Sequence, residues 1–156
     1  MKIRKYRKGD SVQCANLIYS VFKEFNGNDY FEKNGVQKVL DSLDVNKLSE
    51  EEVFDIFKRA KIVYVALDNE RIVGVIRGNK DKVSSFAIEG KYHGKGIGKK
   101  LLQKFEFQAK KSGSEFIKLK SSLFAVKFYE NCDYKKTTGT RNFLGLKIIN
   151  MKKSLL

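Results

Sequence analysis

A β-like run, Val83–Ile88, leads into Gly90-Lys91-Tyr92-His93-Gly94-Lys95-Gly96-Ile97-Gly98, and a stretch with helical apolar spacing follows. Glycines between a strand and a helix let successive backbone N–H groups approach an anion, and the helix N-terminus adds partial positive charge. Lys91, Lys95, Lys99 and Lys100 supply more of the same sign. The chemistry this predicts is phosphate binding. Two familiar forms are excluded. A P-loop needs G-x-x-x-x-G-K followed by Ser or Thr, and no such hydroxyl follows here. The dinucleotide fingerprint needs G-x-G-x-x-G, whereas Gly94, Gly96 and Gly98 run G-x-G-x-G, and Glu115 begins a strand where the ribose-binding acid should end one. The plain alternative is a turn that only joins strand to helix.

A second group lies downstream. Ser122, Ala125 and Tyr129 are three and four residues apart, so they share one face of a short helix running through Asn131. Phe128 beside them reads as core. Three carboxylates are candidates for taking a proton: Glu89 after the central strand, and Glu24 and Asp29 in an acidic region. Spacing singles out none of them as a base. With one histidine, and with Cys14 and Cys132 far apart, the chain predicts neither a metal site nor a disulfide framework.

The elements that must position these groups follow from periodicity and turn chemistry. Lys2–Tyr6 alternates as a strand. Asp10, with Gln13 three residues on, reads as the cap of a helix through Phe25 whose inner face is Ala15, Ile18, Phe22 and Phe25. Asn26-Gly27-Asn28-Asp29 breaks it. A second helical stretch turns Val36, Val39, Leu40 and Leu43 inward, and Ser49-Glu50-Glu51-Glu52 is a capping box for a third. Runs 62–67 and 72–77 form a hairpin, and a third strand is Val83–Ile88. Beyond the glycines, Ile97, Leu101, Phe105 and Ala109 make one helical face ending near Ser112-Gly113. Phe116–Lys120 is a strand, Ser122 a helix cap, and Tyr134–Thr138 and Phe143–Met151 two last strands around Thr138-Gly139-Thr140. The order is β-α-α-β-β-β-α-β-α-β-β. It predicts a mixed α/β fold with a central sheet of about six to seven strands flanked by helices.

The 156 residues predict one domain over 1–156, and 42% apolar composition is enough for a core. No window approaches the ~20 apolar residues of a membrane span, and the basic N-terminus lacks the apolar run of a secretory signal. A cytoplasmic location is expected. The formal charge is +14, with Lys and Arg numbering 32 against 18 Asp and Glu. It is unevenly placed: residues 10–58 carry −5 and the remainder +19. A basic nucleic-acid-binding domain is therefore an alternative class. Against it, the bases are nearly all Lys, with few Arg forks, and no nucleic-acid motif appears.

The glycine segment resembles the acetyl-coenzyme-A signature of the GCN5-related N-acetyltransferases (GNAT), Q/R-x-x-G-x-G/A, with His93 at the Gln/Arg place, Gly96 as the G and Gly98 at the end. Ser122-Leu123-Phe124-Ala125-Val126-Lys127-Phe128-Tyr129-Glu130-Asn131-Cys132-Asp133-Tyr134 is similar to the family's N-x-x-A-x-x-F-Y-x-x-x-G-F. The element order agrees over nearly the whole chain. Three departures stand out: His93 for Gln or Arg, Ser122 for Asn, and Asp133 for Gly, which asks an aspartate to take left-handed backbone.

The resemblance implies an N-acetyltransferase passing an acetyl group from acetyl-coenzyme A to a primary amine by direct attack, with a non-catalytic acyl-coenzyme-A binder as the other reading of the same fold. It implies that the pantetheine arm pairs along Phe86, Ala87 and Ile88, with the backbone N–H of Ile88 polarising the thioester carbonyl. The pyrophosphate would lie on His93, Gly94, Lys95, Gly96, Ile97, Gly98 and Lys99. Ser122, Ala125 and Tyr129 would face the cofactor, and Tyr129 would be the general acid for the leaving sulfur. No metal is implied. The partners implied are acetyl-coenzyme A and a small-molecule or peptide amine, with a homodimer by analogy. Because the first helices usually wall the acceptor side, the acidic 10–58 segment predicts a cationic or neutral acceptor.

Overall fold

The computed structural model describes residues 1–26, 30, 37, 41 and 47–156. Seven strands form one sheet: β1 (Lys2–Lys5), β2 (Ile62–Asp68), β3 (Arg71–Asn79), β4 (Lys82–Ile88), β5 (Phe116–Ser122), β6 (Lys135–Phe143) and β7 (Leu146–Ser154), in the order β1-β2-β3-β4-β5-β7-β6. The helices are α1 (Ser11–Asn26), α2 (Glu50–Lys58), α3 (Ile97–Lys111) and α4 (Val126–Asn131). Alternation along the central strands builds two cores. Tyr64, Ala66, Val73 and Ile76 face Leu101, Phe105 and Ala109 of α3, whereas Val65, Leu67, Ile72 and Val75 face Ala15 and Ile18 of α1 and Val53 and Phe57 of α2. Leu101 and Phe105 are fully buried, each worth roughly 1.5–3 kcal/mol of transfer free energy.

β4 and β5 decide the shape of the molecule. They are parallel neighbours, yet their register holds one Cα pair, Lys82↔Lys118, beside the bond from the Lys118 amide to the Asp81 carbonyl at 2.9 Å. Beyond that point the strands part. All other neighbouring strands pair antiparallel over several residues, so this is where the sheet opens.

Several sequence expectations need correcting. Asp10 does not cap α1. Its carboxylate takes the Arg4 guanidinium at 2.7 Å and the Arg7 amide at 2.7 Å, and Gln13 Oε1 accepts the amide of Ile72 at 3.2 Å. Ser122 makes no side-chain cap bond, and a 3-10 turn, Leu123–Ala125, precedes α4. The last hairpin turns at Leu144 and Gly145, both at positive φ (55° and 87°), with Asn142 Oδ1 accepting the Gly145 amide. Leu-Gly is a weak signal for such a turn, which favours Asn-Gly. Thr138-Gly139-Thr140 is instead an irregularity inside β6. The Ser49–Glu52 capping box forms as expected. The helix expected around Val36, Val39, Leu40 and Leu43 lies outside the described residues.

Candidate active site

Where β4 and β5 part, two cavities meet. The first, about 520 Å³, is bounded by the end of β4, the glycine loop, α4 and the end of α1. The second, about 390 Å³, lies toward the narrow end of the opening, against α1, β5 and β7. Asn26, Phe86, Ala87, Ser122, Ala125 and Tyr129 line both, so they form the waist through which the cavities communicate.

The glycine loop is built to take an anion. Tyr92 anchors it, buried, with its hydroxyl on Asp68 and within 3.5 Å of the Arg71 guanidinium. Gly94 and Gly96 then take φ of +73° and +81°, and nothing of the protein lies within 4 Å of where a Cβ would stand at either. Among the described residues, no protein acceptor takes the amides of Gly94 to Lys99, while the Lys100 amide closes the first α3 turn on Gly96. Those free amides meet the mouth of the larger cavity, where His93, Gly94, Gly96, Gly98 and Lys99 line the wall. Lys95 does not line it; its Nζ lies 5.5 Å from the Tyr92 ring centroid. The Ile97 side chain is core, so only its backbone is available. His93 Nε2–H donates to the Ile88 carbonyl at 2.7 Å, and its ring packs at a tilt against the stacked pair of Phe25 and Phe124.

The facing edge of β4 is equally free. The Glu89 amide donates to Val73 on β3. Alternation therefore turns the N–H groups of Ile88 and Phe86 away from β3 and into the opening. Free amides on one strand edge and on one loop, around an apolar cavity, fit a long ligand with an amide-bearing arm and a pyrophosphate. Coenzyme A has that anatomy.

Tyr129 stands at the waist. It is buried, its ring packs edge-on to Phe86, Phe128 and Tyr134, and among the described residues its hydroxyl has no hydrogen-bond partner. Burial, and then the neighbouring Cys132, push its phenol well above the usual tyrosine range, so it holds its proton at neutral pH. Phe128 is half-buried against the core and also lines the larger cavity. Asp133 does take left-handed backbone, at φ +71°.

The carboxylates settle differently. The Arg71 guanidinium, 2.6 Å from Glu89, holds that carboxyl below its ordinary value, with Lys91 adding to it. Glu89 is thereby a poor proton acceptor. Asp29 lies outside the described residues. No described acid of the 10–58 segment lines either cavity: Asp10, Asp41 and Asp55 pair with Arg4, Lys47 and Lys58. The expectation that this segment presents negative charge to the acceptor is not met by the described residues.

A family profile described as the acetyltransferase (GNAT) domain matches residues 28–155. The chain belongs to the GNAT acetyltransferases. Solved N-acetyltransferases share the fold of this GNAT chain. A GCN5-related N-acetyltransferase from Rhodopseudomonas palustris superposes with a TM-score of 0.80 at 18% identity, covering 98% of this chain and 94% of the other. The PaiA N-acetyltransferase from Thermoplasma acidophilum, solved with coenzyme A, gives 0.70 at 20%, covering 98% of each. An aminoglycoside 6'-N-acetyltransferase complexed with coenzyme A gives 0.70 at 15%, covering 100% of this chain and 98% of its own. No curated protein sequence matches at a significant level. No helix among the described residues is long and apolar enough to cross a membrane.

Sequence reasoning missed Asn26, which it read as part of a helix-breaking run. Ile18, Phe22 and Asn26 fall four residues apart on one stripe of α1. A polar residue on an apolar stripe was the available signal. Lys82 and Lys120 were missed as well, because strand alternation alone does not show that the sheet opens beside them.

Proposed function

We propose that residues 1–156 work as one N-acetyltransferase domain that uses acetyl-coenzyme A as co-substrate and acetylates a primary amine by direct attack. The observation that carries this reading is the buried Tyr129 hydroxyl, without a partner among the described residues, at the waist between two connected cavities. Gly94–Lys99 would hold the pyrophosphate through backbone amides, and Phe86–Ile88 would align the arm like an added strand, with Ser122 and Ala125 flanking it. When bound, acetyl-coenzyme A supplies a thioester carbonyl as electrophile.

The chain's own groups then divide the work. The Ile88 N–H, fixed by β4, offers a hydrogen bond where negative charge grows on the carbonyl oxygen. Tyr129 donates its proton to the departing sulfur. Direct attack is favoured over a covalent relay through cysteine. Cys14 is wholly buried, with its thiol pushed by burial up to about 12, and burial also raises the thiol of Cys132. With no described carboxylate lining the cavities, the acceptor enters as the free amine and its proton leaves to water. The reading includes a cytoplasmic enzyme acting on a small-molecule or peptide amine, with no metal and no nucleic acid.

A thermal-shift series with acetyl-coenzyme A, coenzyme A and an oligonucleotide, followed by a thiol-release assay over an amine panel, tests it. Saturable stabilisation by acetyl-coenzyme A and amine-dependent thiol release are expected. Stabilisation by the oligonucleotide alone would overturn the reading, and binding without release for any amine would make the chain a non-catalytic acyl-coenzyme-A binder.

A further inference from the structure

The smaller cavity has a polarity of its own. Lys82, half-buried at the start of β4, and Lys120, exposed on β5, both line it, so two ammonium groups face one cavity. Lys118 adds a third positive charge nearby: Lys82 and Lys118 are register partners, and Lys118 and Lys120 share a face of β5. Among the described residues, none of the three meets a carboxylate. Lys120 Nζ lies over the Phe143 ring, 5.2 Å from its centroid. Burial and then its lysine neighbours pull the Lys120 ammonium below its ordinary value. Like charges gathered at a cavity wall without a counter-ion raise the free energy of the empty site and lower it for an anion.

The opposite end of the same cavity holds the second observation. Asn26 is 9% exposed, lines the waist beside Tyr129, and its Oδ1 is a buried acceptor with no partner. A buried amide left unpaired is unfavourable, and native structures rarely keep one unless something else satisfies it. Asn26 lines both cavities, so a donor entering there is the partner its carbonyl lacks, and the N–H groups of an amine are donors. Between these two polar ends the wall is mainly apolar, with Ile18, Val21, Phe22, Leu119 and Ile148, and Ser84 and Ser85 of β4 add hydroxyls.

We propose that the acceptor is an amine carrying an anionic group at its far end, with an apolar body between: the amine donates to Asn26 at the waist, and Lys82 and Lys120 take the anion. This rests on the acetyltransferase reading above and names the substrate class of that site. The shared chemistry is a carboxylate or a phosphate, as in an ω-amino carboxylate, a short peptide carboxylate or a long-chain aminoalkyl phosphate.

The test compares amines that differ only in the anion: ε-aminocaproate with ε-aminocaproamide, leucyl-leucine with leucyl-leucinamide, and aminohexyl phosphate with aminohexanol. Thiol release gives kcat/KM, and calorimetry of N-acetyl-leucyl-leucine against N-acetyl-leucyl-leucinamide on the coenzyme-A complex gives a readout independent of turnover. The anionic member is expected to be preferred at least ~10-fold. The carboxylate and phosphate arms show which anion is meant. In a Lys82→Met, Lys120→Met double variant the preference should fall to within about threefold, while the KM for acetyl-coenzyme A stays unchanged. A Lys82→Gln, Lys120→Gln variant repeats the measurement should the first melt early. Asn26→Ala should lower kcat/KM for every acceptor at least ~10-fold without changing the anion preference. Equal or better turnover of the neutral members, or a preference that survives loss of both lysines, would overturn the proposal. Those outcomes leave acetyl-coenzyme-A binding intact, whereas failure of the acetyltransferase reading removes that binding or all thiol release.

Discussion

The imidazole of His93 reaches back five residues to the carbonyl of Ile88, with Nε2 2.7 Å from the oxygen. A carbonyl can only accept, so the proton sits on Nε2, and the ring pins the glycine loop to the end of β4. The family pattern has Gln or Arg here, and both can donate the same bond. His93→Gln should therefore keep coenzyme-A affinity within about threefold by calorimetry, at the loss of the tilted ring contacts with Phe25 and Phe124. A loss of tenfold or more would show that the imidazole itself touches the cofactor.

Tyr129→Phe separates catalysis from binding. Among the described residues the hydroxyl has no hydrogen-bond partner and the ring supplies the packing, so the melting temperature and coenzyme-A affinity should hardly change. Loss of one general acid typically lowers rate 10²–10⁴-fold, roughly 3–5 kcal/mol in the barrier. A large fall in kcat at constant affinity marks an interaction made only in the transition state. Full activity would make the tyrosine a core residue.

Gly96→Val tests the loop. Gly96 has φ of +81°, strained for any side chain, and open space where the Cβ would point. The added side chain therefore meets the ligand and not the protein. Coenzyme-A affinity should fall at least ~10-fold, about 1.4 kcal/mol, in a protein that still folds. Calorimetry with a melting curve on the same sample checks both halves.

Much of this arrangement was legible in the sequence because it rests on local rules. The strand–glycine–helix order at Ile88–Ile97 is a short-range pattern and appears in the structure at the place the pattern gives it. Ser122, Ala125 and Tyr129 do line one cavity, but not as one helix face: Ser122 ends β5, Ala125 closes a 3-10 turn, and only Tyr129 lies on α4. What was illegible is long-range. Asp10 has capping chemistry, yet Arg4, six residues earlier, offers its carboxylate a guanidinium and wins. The β6–β7 turn falls on Leu144-Gly145, where the chain accepts a positive φ at leucine because Leu146 and Ile148 must pack against Tyr19 and Phe22. That Lys82 and Lys120 line one cavity depends on two strands far apart in the chain that touch at one pair and separate.

Gly78→Ala probes the closed end of that separation. A Cβ at Gly78 would stand 2.0 Å from the Lys82 carbonyl oxygen and 2.9 Å from Phe105. Backbone cannot yield as a side-chain tip does, so the β3–β4 turn must shift. A loss of at least ~2 kcal/mol is expected, seen as a melting temperature lower by about 4–8 °C. An unchanged melt would mean that the turn is loose.

Acid should weaken the Arg4–Asp10 anchor of α1. Burial alone would raise the Asp10 carboxyl, but the Arg4 guanidinium at 2.7 Å, the Arg7 amide and the charges of both arginines outweigh it, and the net shift is downward. A carboxyl lowered in the folded state contributes stability above its unfolded value, about 3.9, and loses it as pH falls through the folded value. The contribution is thus fully present at neutral pH, starts to fall below about pH 4 and is lost only below the folded value. Asp10→Asn removes the titrating group. Its melting temperature should lie clearly below that of the parent protein at pH 7, and the gap should close as pH falls below about 4, followed by thermal melts over the acid range. A gap that stays constant with pH would show that the asparagine disturbs packing and that the ion pair contributes little.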